Sequence, residues 1–200
     1  MDDLGPGPAE FLASVDLILH AGDVLLPSVL DWCEQFAEVH CSLGNNDRFQ
    51  DPRAAPRIMI EQHGWRIGMI HDVDAVPARI RTQEQLRSEI YGERDLDVLL
   101  AGDSHYERLA YRDGVLFMDP GSPVFPHNRE SCLGSMGLLE VTADGVRAEI
   151  VTVGETPGTA NPSTPAHISM ERGHVIDASV AGRAVEVPGW KPPSAPPLPL

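Results

Sequence analysis

Apolar residues recur along this chain in short blocks that break off at a few kinds of polar residue. Leu17, Ile18 and Leu19 run without interruption and stop at His20-Ala21-Gly22-Asp23, the pattern of a buried strand. Segments 38–43 (EVHCSL) and 97–101 (DVLLA) read the same way, ending at Gly44 and Gly102. Residues 56–72 (PRIMIEQHGWRIGMIHD) read as a hairpin turning at His63-Gly64, with its second strand ending at His71. Two further hairpins are predicted at 107–119, around Asp113-Gly114, and at 137–153, around Asp144-Gly145. Helical spacing appears at 8–15, with Pro8 in the first turn, and at 26–37, where Val29, Leu30, Cys33 and Phe36 share a face. A third helix is predicted at 77–92, amphipathic and closed by Gly92. Strand–helix alternation followed by hairpins predicts an α/β domain, with a mixed sheet or two packed sheets flanked by helices.

Proline changes this picture towards the end of the chain. Half of the 18 prolines lie from Glu155 onward, and proline removes ladder donors and fixes φ. Residues 1–154 are therefore read as the folded domain and 155–200 as a Pro-rich, mostly flexible C-terminal tail. Within that tail only 174–187 (HVIDASVAGRAVEV) offers a strand or brief helix. Its proline-rich end offers a docking segment for a protein partner.

Charge narrows the function classes. A formal net charge of −15 and a pI of about 4.7 argue against nucleic-acid polymers and anionic membranes as partners. A small phosphate-bearing substrate stays open wherever a bound cation reverses the local sign. Cys33, Cys41 and Cys132 are scattered and odd in number, which suggests reduced thiols rather than a disulfide framework or a thiolate zinc site. No apolar run approaches the roughly 20 residues that span a bilayer, and no basic, then apolar, leader opens the sequence. The expected location is the cytoplasm.

The polar residues that end the apolar blocks form a series. Asp23 closes the first, Gly44-Asn45-Asn46-Asp47 the second, His71 the hairpin strand, and Gly102-Asp103-Ser104-His105 the last. Ligands of open α/β sheets bind beyond the carboxyl ends of the strands. Asp, Asn and His together suit borderline cations such as manganese, iron or zinc. Each element alone has an ordinary reading: Asn45 as a turn residue, His71 as a satisfied polar group, Asp103 as a turn cap. Four unrelated turns have little reason to choose these types in this order.

The stretches 20–24 (HAGDV), 43–49 (LGNNDRF), 67–72 (IGMIHD), 99–107 (LLAGDSHYE) and 117–128 (FMDPGSPVFPHN) together resemble the calcineurin-like metallophosphoesterases. They are most similar to the small bacterial phosphodiesterase branch related to the retromer subunit Vps29, over residues 9–153. The resemblance implies a four-layer α-β-β-α sandwich of two mixed sheets with a dinuclear site on one edge. It assigns Asp23 as the bridging carboxylate, Asn45 and His71 as ligands of the second metal, and His105 as a ligand of the first. Asp47 closes the Asn motif, where it orients its neighbours. Asn46 stands where many active members carry a His; an amide donates a hydrogen bond but is no general acid near neutral pH. The late loop, with Ser122, His127 and Asn128, is implied to pack beside the site.

Two departures shape the expectation. The family's Asp-x-His strand is missing ahead of residue 9, so the first metal keeps only Asp23 and His105. The natural start is expected upstream. Asp103 stands at a ligand position of the second metal where the family has His, which favours harder cations such as manganese or magnesium. The second metal can be assembled from Asp23, Asn45, His71 and Asp103. The expected cofactor is a divalent metal: Mn2+ first, with Mg2+, Fe2+ or Zn2+ as alternatives, and one ion, or two with the missing strand. The implied function is hydrolysis of small phosphodiesters or phosphomonoesters by metal-activated water, with Asn46 and Asp47 next to the reacting group. The alternative is a catalytically weak or inactive Vps29-like scaffold.

Overall fold

The computed structural model describes residues 6–73 and 96–187; the helix predicted at 77–92 and the end of the expected tail, 188–200, lie outside them. Helix α1 (Pro6–Leu12) precedes strand β1 (Leu17–His20), and α2 (Pro27–Cys33) separates β1 from β2 (Glu38–Ser42). β1 and β2 pair in parallel, Leu17 opposite Glu38 and His20 opposite Cys41, so a crossover element must join them. Pro27 stands in the first turn of α2, where a missing N–H costs nothing. Val29, Leu30 and Cys33 are its buried face, as their spacing predicts. They pack with Leu12, Ile18 and Val39 into a cluster between the helices and this sheet. β3 (Ala54–Ala55), which the alternation of residue types did not reveal, extends the sheet from β2.

The second sheet has the order β4 (Ile58–Gln62), β5 (Trp65–Met69), β6 (Val98–Leu100), β8 (Val115–Pro120), β7 (Glu107–Arg112). β6 lies between parallel neighbours, and all three of its residues are buried. That is why its sequence is continuously apolar rather than alternating. The hairpins at His63-Gly64 and Asp113-Gly114 form as predicted, with left-handed φ at all four residues.

The third sheet runs β9 (Ser135–Val141), β10 (Gly145–Thr152), β11 (Ala166–Glu171), β12 (His174–Val180), β13 (Arg183–Ala184), all antiparallel. This corrects the expected flexible tail from residue 155: the domain continues to Ala184. β11 alternates, burying Ile168 and Met170 at 3% and 2% exposure, and Pro165 falls just before its first residue, where no ladder donor is lost. The prolines at 157, 162 and 165 therefore mark the connection, not the absence of strands.

Sheets two and three face each other across the main core, with Met69, Val98 and Leu116 on one side and Ala148, Ile150 and Ile168 on the other. Leu19 and Ala21, from the end of β1, pack against the same cluster. The fold is thus an α/β sandwich in which one layer is divided into β1–β3 and β9–β13. Among the described residues no helix is long and apolar enough to cross a membrane. All three cysteines are free and buried. Burial pushes the Cys41 thiol up to about 12 and that of Cys33 to about 11, so both behave as inert apolar groups.

Candidate metal centre

Three strand ends meet at one edge of the sandwich. β1 leads through Ala21 and Gly22 to Asp23, β5 through Ile70 to His71, and β6 through Ala101 and Gly102 to Asp103. Gly22 makes this convergence sterically feasible. Its φ is 101°, and a Cβ there would lie 2.7 Å from His71 Nδ1 and 2.7 Å from the Ser42 carbonyl oxygen. Asp23 and Asp103 both adopt left-handed backbone, φ 55° and 63°, a costly conformation for an ordinary residue and one that clusters at functional sites.

His71 is 6% exposed. Its Nδ1–H donates to the Ala21 carbonyl at 2.6 Å, which leaves the Nε2 lone pair facing the other way. Nε2 has no hydrogen-bond partner; it sits 3.2 Å from Asp103 Oδ1 and 3.5 Å from Asp23 Oδ1. The three side chains offer one donor atom each, all within 4.8 Å of one another. Donors bound about 2.1 Å from a common ion stand roughly 3–4 Å apart, so this set fits a divalent cation. An orphaned buried imidazole nitrogen beside two carboxylates is otherwise a costly arrangement.

The Asn motif closes over this cluster. Asn46 donates to Asp23 twice, from its backbone N–H at 2.9 Å and from Nδ2 at 2.6 Å. Asn45 Nδ2 lies 3.4 Å from Asp103 Oδ1, and its Oδ1 accepts from Asn46. Asp47 points away from the cluster. Its carboxylate accepts the backbone N–H groups of Asp23 at 3.0 Å, Leu25 at 2.9 Å and Gly44 at 2.7 Å, joining the loop after β1 to the loop after β2. His20 is held beneath this loop, accepting the Gly22 N–H, and burial lowers its pKa.

His105 lines the same cavity as Asp23, His71 and Asp103 but is not part of the three-residue cluster. Its Nδ1–H donates to Asn128 Oδ1 at 2.8 Å, which orients Nε2 as an acceptor. The contact joins two left-handed residues 23 apart in the chain, and no linear pattern announces it. Asp119 is a group that the sequence left unremarked. It is fully buried, takes bonds from Ser104 at 2.6 Å and Arg108 at 3.0 Å, and so holds the loop carrying His105. Burial raises its pKa despite those bonds. His127 turns aside to Glu107, 2.8 Å away, and stacks on Tyr106.

Residues 7–144 match the model of the calcineurin-like phosphoesterase superfamily domain. A probable metallophosphoesterase of Methanothermobacter thermautotrophicus is 34% identical over 140 residues, which cover 70% of this chain and 77% of the relative. Several solved structures share the fold, two of which illustrate it. The zinc complex of Vps29 from Entamoeba histolytica has a TM-score of 0.60 and 22% identity, covering 82% of this chain and 87% of its own. Vps29 from Chaetomium thermophilum has a TM-score of 0.61 and 14% identity, covering 92% and 88%.

Proposed function

The chain belongs to the calcineurin-like phosphoesterase superfamily, and from that premise we propose that it hydrolyses small phosphodiesters or phosphomonoesters at the edge formed by Asp23, Asn45, His71, Asp103 and His105. The observation that carries this reading is the buried Nε2 of His71, which has no hydrogen-bond partner and stands between two carboxylates. Bound there, a divalent cation supplies a Lewis acid for a phosphoryl oxygen and lowers the pKa of the attacking water. Asp23 and Asp103 hold the negative charge that attracts the cation, and the Ala21 carbonyl fixes the tautomer of His71. Asn46, exposed at the mouth, can turn its amide to a phosphoryl oxygen but cannot protonate a leaving group. Substrates whose leaving group departs as a stable anion are therefore favoured. Asp47 acts through the backbone it organises. Carboxylate and amide oxygens suit manganese, the cation of first choice here.

A second reading is a Vps29-like binding protein, favoured by the amide at residue 46 in place of a general acid. Hydrolysis of bis(p-nitrophenyl) phosphate with and without manganese, beside a His71→Ala variant, separates the two. Metal-dependent turnover that vanishes in the variant is expected. Tight manganese binding by calorimetry with no turnover would overturn the hydrolase in favour of the binding protein.

A further inference from the structure

β11 and β12 lie beyond residues 7–144, which carry the family match, and their outer face has a chemistry of its own. Ile168 and Ala178, paired across the two strands, are 3% and 0% exposed against the core. Side chains alternate between the faces of a sheet, so His167 and Ser169 on β11 and Asp177 and Ser179 on β12 point outward. His167 stands directly opposite Ser179, and Ser169 opposite Asp177.

Three of these four groups form a chain of hydrogen bonds. Asp177 Oδ2 lies 2.7 Å from His167 Nε2, and Ser179 Oγ lies 2.9 Å from His167 Nδ1. A carboxylate only accepts, so in the neutral ring Nε2 carries the proton. Nδ1 is then a lone pair, and the Ser179 hydroxyl donates to it. The imidazole is 18% exposed and the carboxylate 54%. A β-bulge, with Ile176 as the extra residue, stands directly before Asp177; bulges re-aim the side chain beside them, and this carboxylate reaches the imidazole diagonally. On β13 the residue opposite Ser179 is Ala184, small and exposed, which leaves the hydroxyl open to approach.

We propose that Ser179 is a nucleophile, activated by His167 and Asp177, that accepts acyl groups from small activated esters on the outer face of the third sheet. Oγ attacks the carbonyl carbon while its proton passes to His167 Nδ1. The bond to the leaving oxygen then breaks, and that oxygen takes the proton from Nδ1. Water repeats the path on the acyl-serine: it gives a proton to Nδ1 and adds to the carbonyl carbon, and Ser179 departs with that proton as the acid is released. The main-chain N–H groups of β11 are committed to the ladders on its two sides. Solvent must therefore stabilise the oxyanion, and only esters whose leaving group is as stable as a phenolate react. Asp177 and Glu149, which stands opposite His167 on β10, select against anionic esters. This chemistry needs no cation and does not rest on the phosphoesterase reading.

The test uses the full chain in excess chelator, with phenylmethylsulfonyl fluoride, from whose sulfur Oγ displaces fluoride, and with p-nitrophenyl acetate as the acyl donor. Intact mass gives the stoichiometry and peptide mass the position. One sulfonyl or acetyl group at Ser179 is expected, and none in Ser179→Ala. His167→Gln should slow the labelling about 100-fold, the share of a positioned base. Asp177→Asn, a change of an exposed side chain, should also slow it while leaving the melting temperature unchanged, because the fixed tautomer is lost. Three results would overturn the proposal: modification of several serines at equal rates, labelling of Ser179 that both variants leave unchanged, or no adduct at Ser179 with either reagent.

Discussion

Asp47 shows how a single carboxylate can matter to a site it does not enter. Its two oxygens accept three backbone N–H groups from two loops, and an Asn in its place keeps one acceptor oxygen. Asp47→Asn should lower stability by about 1–3 kcal/mol through the unsatisfied donors, measured by urea unfolding without metal. Manganese affinity should fall on the order of 10–100-fold, the usual effect of losing a group behind the ligands; calorimetry showing unchanged affinity would remove Asp47 from the site's support. A different carboxylate carries a pH signature. Hydrogen bonds from Arg53, at 2.8 Å and 2.6 Å, hold the Asp51 carboxyl down at about 2, while the same guanidinium reaches Asp31 and Glu34 on and beside α2. A carboxyl lowered in the folded state contributes stability in full above its unfolded pKa, near 4, and loses it as pH falls towards 2. The stability gap between the wild type and Asp51→Asn, read from denaturation midpoints, should therefore close between about pH 4 and pH 2. A gap that stays constant across that window would contradict the assignment.

At the level of elements, the site depends on strands ending where a glycine lets neighbouring loops touch. Gly22→Ala would place a methyl against His71 and the Ser42 carbonyl in a left-handed backbone. A cost of about 1–3 kcal/mol is expected from the backbone alone, together with loss of manganese binding; a variant with wild-type melting and affinity would show that the loops yield freely. The same geometry explains what was legible in the sequence. β6, buried at all three residues, announces itself as an apolar run, as does the partly buried β1, and the polar residues that follow such runs converge on one edge. Asp23, His71 and Asp103 could be found this way. Contacts between loops could not, because Asn128 reaches His105 through two left-handed turns that leave no period. β3 is two alanines, too little to show a pattern. β11 is hidden because the prolines at 157, 162 and 165 crowd the connection directly before it and mask the short alternation that follows.

For the whole molecule the governing quantity is negative charge, −15 over 200 residues, with part of it gathered around one buried imidazole. A cation bound there stabilises only the folded state. Manganese at about a hundred times its dissociation constant should add about 2.7 kcal/mol; a thermal scan should show the gain and a chelator should reverse it. No shift at millimolar manganese would count against a preformed centre. The order in which the centre is assembled follows from the staple at Asp47. Because the Asp47 carboxylate already ties the loops after β1 and β2 together through their main-chain N–H groups, the cost of ordering them belongs to folding, and a cation arriving later would find those loops in place. Loading then becomes a contest between the ion's own water shell and a fixed set of oxygens and nitrogen. Fast water exchange would set how quickly a cation loads, whereas its affinity for this fixed donor set, weighed against its free concentration, would set which metal occupies the proposed centre.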